Sequence, residues 1–240
     1  MVLKAVLFNF NGVIIKDESI HRESIDEILL TENLSLQGKE FSQVSVNSSD
    51  KSCLKELLKL RGRSVTDEYL DKLMAEKAIV YRQKLAQLEI PLYPDVVQFI
   101  EQMFNNSYKL AVVTGAIGSE VELGLKQGKI GLYFDTIVSG DDLSQNKPDP
   151  QGYLLAIDNL NKLYPDLNLL PSECLAIEDT FAGLQASKSA RIQAVAIAHT
   201  YPFHMLQRQA NWTIDRFADL EFDRIDKFFE SREERTASST

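Results

Sequence analysis

The first apolar run of the chain and the turn that ends it, Lys4 to Ile15 (K-A-V-L-F-N-F-N-G-V-I-I), constrain the fold more than any other stretch. Ala5 to Phe8 offers no polar residue to water on either side, and so reads as a strand buried on both faces of a parallel sheet. The loop at the carboxyl end of such a strand is where open α/β sheets place their ligands. Here that loop is Asn9-Phe10-Asn11-Gly12. Residues 9 and 11 alternate in extended chain and share a side, while Gly12 lets the backbone turn sharply.

Downstream, the pattern splits in two. From residue 16 to 90 there is no strand signal. Ile20, Ile25, Ile28 and Leu29 follow a helical period, a second helix starts near Asp50 and reaches Leu60, and a third opens on Thr66-Asp67 and runs to Leu85. Pro91 and Pro94 mark a return to alternation. Helix is expected over 94–105, 119–127, 150–163 and 180–190, and strand over 109–114, 134–139, 174–177 and 193–198. Strands alternating with helices of this length predict an α/β fold, a Rossmann-like parallel sheet flanked by helices, carrying a small all-helical insertion. The expected boundaries are 1–15 with 91–230 for the sheet domain, 16–90 for the helical cap, and 231–240 for a flexible, polar tail.

Composition matters here mainly for what it excludes. The formal charge of −9 over 240 residues argues against a nucleic-acid surface, which needs clustered Lys and Arg. No apolar run is long enough to span a bilayer, and no signal-like start precedes the first strand. Cys53 and Cys174 fit no metal or redox spacing and read as buried free thiols in a reducing cytoplasm.

With the pattern in place, a family resemblance can be stated on four stations. Asn9-Phe10-Asn11-Gly12-Val13 resembles the first motif of the haloacid dehalogenase superfamily, D-x-D-G-V, with Asn at both Asp positions. Thr114 ends the strand K-L-A-V-V-T and precedes Gly115. N-K-P-D-P at 146–150 is similar to the family's G-K-P-x-P. L-A-I-E-D-T-F-A-G, which holds Glu178 and Asp179, resembles V-I-E-D-S-x-x-G-x-x-A. Alone, each has a plain reading: a Thr at a strand end, a solvated turn lysine, an acidic helix start that suits the helix dipole. Their occurrence in family order, each after an expected strand, is what separates them from chance.

The resemblance implies a role for each position. Asn9 stands where the family has its phosphoryl-accepting nucleophile and a Mg²⁺ ligand. Asn11 stands at the general acid/base, whose main-chain carbonyl also binds the metal. Gly12 belongs to the same substrate-facing turn. Thr114 and the Gly115 amide hold phosphoryl oxygens, Lys147 balances their charge, and Glu178 and Asp179 bind Mg²⁺ directly or through water. The helical insertion resembles the cap of the β-phosphoglucomutase and phosphoglycolate phosphatase group. There K-D-E-S-I-H (16–21) is similar to V-D-S-E-P-L-H, which makes His21 a candidate for coupling cap closure to proton transfer. Ser48-Ser49-Asp50-Lys51 falls where relatives carry a substrate-reading loop, with Lys51 a candidate in place of a phosphate-reading Arg, though it lacks the bidentate fork. Lys77 and Arg61 to Arg63 are further candidates for reading the substrate, and read more readily as solvated helix-face charges. The aromatic segment 198–212 holds two of the three histidines. It reads as a short helix packing Phe203, Leu206 and Trp212 on the sheet, or as a surface for a protein partner.

The two asparagines govern the functional expectation. A neutral amide is a poor nucleophile, and losing a catalytic nucleophile costs on the order of 10⁴–10⁶ in rate. Mg²⁺ prefers charged oxygen, so its binding is expected to be weakened or lost. Three explanations stand open: a protein that binds a small phosphorylated metabolite, phosphate or a protein partner without turnover; an active Mg²⁺-dependent phosphatase whose nucleophile Asp has been changed to Asn9; and replacement of the lost chemistry by Asp17 or Glu18.

Overall fold

The structure is a computed structural model that describes residues 2–45, 50–87 and 90–237, with side chains described as far as residue 231. It divides into two compact units, residues 1–15 with 92–240 and residues 16–91.

The first unit is built on six parallel strands. Strand β1 (Ala5–Phe8) is completely buried, as an unbroken apolar run requires. The chain then leaves for the helical unit, α1 (Glu18–Thr31), α2 (Glu40–Val44), α3 (Asp50–Leu60) and α4 (Asp67–Gln87). It returns through α5 (Val96–Asn105), β2 (Lys109–Val113), α6 (Gly118–Gln127), β3 (Thr136–Val138), α7 (Gln151–Leu163), β4 (Cys174–Glu178), α8 (Phe181–Ser189), β5 (Gln193–Ile197), α9 (Phe203–Leu206), β6 (Trp212–Ile214) and α10 (Phe222–Ala237).

The sheet order is β3-β2-β1-β4-β5-β6. β1 is central: Ala5 lies opposite Lys109 on one side and Cys174 on the other, and Phe8 opposite Val112 and Ile177. The chain winds outward through β2 and β3, then crosses back to start β4 beside β1. That reversal opens a crevice at the carboxyl ends of β1 and β4, the switch point where open α/β sheets bind ligands. Both cysteines are buried and free.

Two features were not foreseen from the sequence. Trp212 does not belong to a short helix with Phe203 and Leu206: α9 buries Leu206 but leaves Phe203 about a third exposed, and Trp212 opens the sixth strand, pairing with Val195. A three-residue edge strand is too short to show a period in sequence. At the other end, α10 carries helical backbone through Ala237, into the stretch expected as a tail.

The loop after β1 is anchored from beneath by Phe10. Its carbonyl accepts from the amides of Ile14 and Ile15 at 2.8 and 3.1 Å, and its ring is buried against Gly124 of α6. A Cβ on Gly124 would lie 2.6 Å from the tip of that ring.

The helical unit has its own apolar core, in which Ile25, Ile28 and Leu29 of α1 meet Leu54, Leu57 and Leu58 of α3 and Leu70 and Leu73 of α4. Beside it lies a partly buried charge cluster. His21 Nε2 is 3.0 Å from Asp17 Oδ2, and its Nδ1 is 2.8 Å from Asp50 Oδ2. Lys77 Nζ lies 2.6 Å from Asp50 and 2.9 Å from His21 Nδ1, and the Tyr81 hydroxyl donates to Asp17. Lys77 is therefore not a solvated surface charge: it is 1% exposed, and Asp50 compensates its loss of water. Arg61 and Arg63 pair instead with Glu40 and Glu32. Burial opposes a charged His21, but Asp50 and Asp17 outweigh it and lift its pKa to about 10.

Two outcomes are expected. Gly124→Ala gains about 0.5–1 kcal/mol of helix propensity but overpacks Phe10, at a cost of about 1–3 kcal/mol. The urea midpoint should therefore fall; a rise would show that the ring moves aside freely. For His21, the folded pKa lies above the ordinary 6.5, so its contribution to stability is complete below that pH and is lost as pH climbs towards the raised value. The melting temperature of the parent should decline with pH across this window more steeply than that of His21→Gln. Identical slopes would show that His21 stays neutral.

Candidate functional site

The site sits at the carboxyl ends of four strands. Asn9, the first residue past β1, donates its backbone N–H to the Ile177 carbonyl at 3.0 Å, which locks the loop to β4. Its side chain, 8% exposed, makes three hydrogen bonds. Oδ1 accepts from Lys147 Nζ at 2.9 Å. Nδ2 donates to the Asn11 carbonyl at 2.7 Å and to Asp179 Oδ1 at 2.9 Å. The partners fix the orientation of the amide: turned over, it would aim N–H groups at an ammonium and its oxygen at two acceptors.

Lys147 reaches in from the loop between β3 and α7. Its ammonium spends three N–H bonds, on Asn9 Oδ1, on the Val113 carbonyl at 2.9 Å and on Glu178 Oε1 at 2.5 Å. Glu178 ends β4 with no exposure at all. Its Oε1 also accepts from the Tyr153 hydroxyl of α7 at 2.5 Å. Burial and the Glu178 charge hold that phenol well above its usual pKa, so it remains a donor. Glu178 Oε2 is buried without a hydrogen-bond partner, against Gly183, where a Cβ would come within 1.9 Å.

Asp179 follows directly. Its Oδ1 accepts from Asn9, and its Oδ2 accepts from the Thr200 hydroxyl just after β5 at 2.5 Å. Burial, with Glu178 next to it, pushes its carboxyl up to about 7. Gly12 is the residue this carboxylate demands: its φ is +78°, and a Cβ there would lie 2.0 Å from Asp179 Oδ2. The Gly12 carbonyl lies 2.9 Å from His199 Nδ1, and the His199 ring stacks on Tyr93 with centroids 3.6 Å apart. Thr114, 1% exposed, receives the Ala116 amide at 3.1 Å and lies 3.4 Å from Asn11 Oδ1. Gly115, beside it, is exposed.

Asn9, Asn11, Gly12, Thr114, Gly115, Lys147, Glu178 and Asp179 thus lie together at one edge of the first unit. The two candidates from the helical unit have other surroundings there. His21 lies in the partly buried cluster with Asp17 and Asp50, and Lys51 is about half exposed and paired with Asp71. Ser48 and Ser49, expected in the same loop, lie outside the described residues. Tyr153, His199 and Thr200 were not anticipated in the site. Thr200 carried a weak signal, since it comes three residues after an apolar strand, whereas Thr114 follows its strand directly. Tyr153 carried none, because an aromatic in the first turns of a helix is ordinary core.

The arrangement fits a divalent cation poorly. Among the described residues no group of three His, Cys, Asp or Glu side chains converges as a ligand set. The Asn11 carbonyl and Asp179 Oδ1, the inward-facing oxygens of the loop, already receive the Asn9 N–H groups, and Mg²⁺ requires several oxygens in a near-octahedral shell. What the cluster provides is a nearly closed set of charge-assisted bonds around Lys147, with the Asn9 amide among its partners.

Comparison with known proteins bears on the family and the fold. The family model of haloacid dehalogenase-like hydrolase matches residues 6–197. Protein CbbY of Rhodobacter capsulatus is 25% identical over 219 residues, spanning 89% of this chain and 93% of the relative. The phosphorylated carbohydrates phosphatase of Thermotoga maritima is 25% identical over 198 residues, 80% of this chain and 84% of the relative. Among solved structures, CbbY from Rhodobacter sphaeroides in complex with phosphate superposes with a TM-score of 0.79 at 23% identity, over 92% of this chain and 97% of the other. An Asp-to-Asn mutant of that protein in complex with xylulose-(1,5)bisphosphate gives 0.79 at 24% identity, with the same coverage. Since the matched segment runs from the first strand to the end of the fifth, the chain belongs to the haloacid dehalogenase-like hydrolases.

Proposed function

We propose that this chain binds a small phosphorylated metabolite at the carboxyl edge of its sheet and turns it over poorly or not at all. The observation that carries the reading is the place of Asn9: first residue after the central strand, side chain between Lys147 and Asp179. Attack on phosphorus from there needs a charged oxygen with a free lone pair. Asn9 supplies a neutral amide whose oxygen is already bonded to the lysine.

Three things support the phosphoryl ligand. The cluster sits at the switch point of a parallel sheet. Thr114 and Lys147 lie at that edge with Gly115 exposed beside Thr114, and a phosphoryl oxygen would enter by taking over one of the Lys147 N–H bonds. The relatives point the same way, one solved with phosphate and, as an Asp-to-Asn mutant, with a sugar bisphosphate. In this reading Asn11 has no proton to give or take, so the leaving group would also go unassisted. Mg²⁺ binding is weakened along with turnover, because Asn9 offers the metal no charge.

Phosphate release from p-nitrophenyl phosphate in the presence of Mg²⁺ tests the proposal. The parent should remain at the background rate. Asn9→Asp together with Asn11→Asp should raise release by on the order of 10³-fold or more, given the usual cost of losing a nucleophile. Turnover by the parent comparable to that of the double variant, with intact mass confirming both asparagines, would overturn the proposal.

A further inference from the structure

We infer that the Asn9 carboxamide does in this chain the work of a bound divalent cation, so that the loop cluster is closed without metal. The inference rests on the same placement of Asn9 as the proposed function, but it concerns what holds the site together, not what the site turns over.

Two groups of the cluster present oxygen to the side chain of residue 9: the Asn11 carbonyl and the Asp179 carboxylate. A carboxylate at residue 9 would leave three acceptors facing one another with no donor between them, an arrangement that a hydrogen-bond donor or a cation must bridge. The Asn9 amide supplies that donor. Its Nδ2 lies 2.7 Å from the Asn11 carbonyl and 2.9 Å from Asp179 Oδ1, and each bond uses one of its two hydrogens. The bond to Asp179 ties the loop after β1 to the end of β4, a sequence separation of 170 residues.

The same geometry makes amide and metal mutually exclusive. To give its oxygen to a cation, Asn9 would have to turn Oδ1 away from Lys147 and take both hydrogens off the two oxygens. The N–H groups would then face an ammonium that has lost one of its three acceptors. Mg²⁺ would gain one neutral ligand while breaking three hydrogen bonds, one of them to a buried carboxylate and one to the lysine. Charge-assisted bonds of this kind are about twice as strong as neutral ones. A carboxylate at residue 9 reverses the balance, because the variant then lacks a donor and the cation takes its place between the oxygens.

Thermal melting of the parent and of Asn9→Asp, each in EDTA and in MgCl₂ with no phosphorylated ligand, tests this. The parent should melt at the same temperature in both. Asn9→Asp should melt below the parent in EDTA and rise with Mg²⁺, by on the order of 5 °C for a cation present far above its dissociation constant. A Mg²⁺-dependent rise in the parent as large as that in the variant would overturn the inference, as would a variant that equals the parent in EDTA. Should Asn9→Asp fail to fold, calorimetric titration of the parent with MgCl₂ decides: no saturable heat supports the inference, and a saturable one refutes it. Neither readout involves turnover. A parent that hydrolyses phosphate esters yet ignores Mg²⁺ would sink the proposed function alone, and an inactive parent stabilised by Mg²⁺ would sink this inference alone.

Discussion

Two carboxyl groups buried side by side at the end of one strand set the terms for everything around them. Glu178 and Asp179 are 0% and 2% exposed, and taking two like charges out of water is affordable only if the surroundings supply donors or positive charge. Lys147 and Tyr153 serve the first, and Asn9 and Thr200 the second. These partners come from four different segments, each at or next to the carboxyl edge of the sheet. The pair therefore acts as a knot: to satisfy it, the loops after β1, β3 and β5 and the start of α7 must all be in place. Gly12 and Gly183 are conditions of the same knot, since a side chain at either would stand within 2 Å or so of a carboxylate oxygen.

The fold delivers these groups because the sheet is parallel. Right-handed crossovers return every strand in the same direction, so every strand ends at the same edge. Central β1 then places residue 9 between what β2 and β4 bring to either side. The helical unit is stabilised by a different device, an apolar core with the cluster of Asp17, His21, Asp50 and Lys77 beside it. With His21 protonated, that cluster carries two positive and two negative charges, and this balance makes its burial tolerable.

How much of this could be read from the chain depended on whether the physics was local. The apolar runs of β1, β2, β4 and β5 announced themselves because a strand buried on both faces has no alternative composition. Asn9, Thr114 and Glu178 each sit at the end of such a run, but the sites assigned to Thr114 and Glu178 came from the family resemblance, not from the run itself. Where the cause was a distant partner, sequence was silent. Lys77 looks like any helix-surface lysine until Asp50 is brought beside it across three-dimensional space. Tyr153 looks like core until Glu178 appears at its hydroxyl. The edge strand Trp212–Ile214 is held by pairing with β5 rather than by its own period, and for that reason it read as part of a helix. The meaning of Asn9 was half legible: the missing charge could be read, but the two N–H bonds that replace it belong to the folded state alone.

The most direct test of the account is the state of the Asn9 side-chain amide in solution, observed by nuclear magnetic resonance on protein labelled at asparagine with ¹⁵N. Both of its N–H protons should be protected from exchange with solvent and should keep their shifts when MgCl₂ replaces EDTA, because each is held by an oxygen of the site. An Asn9 amide that exchanges as fast as those of exposed asparagines, or whose signals move on addition of Mg²⁺, would contradict the claim that this amide closes the site.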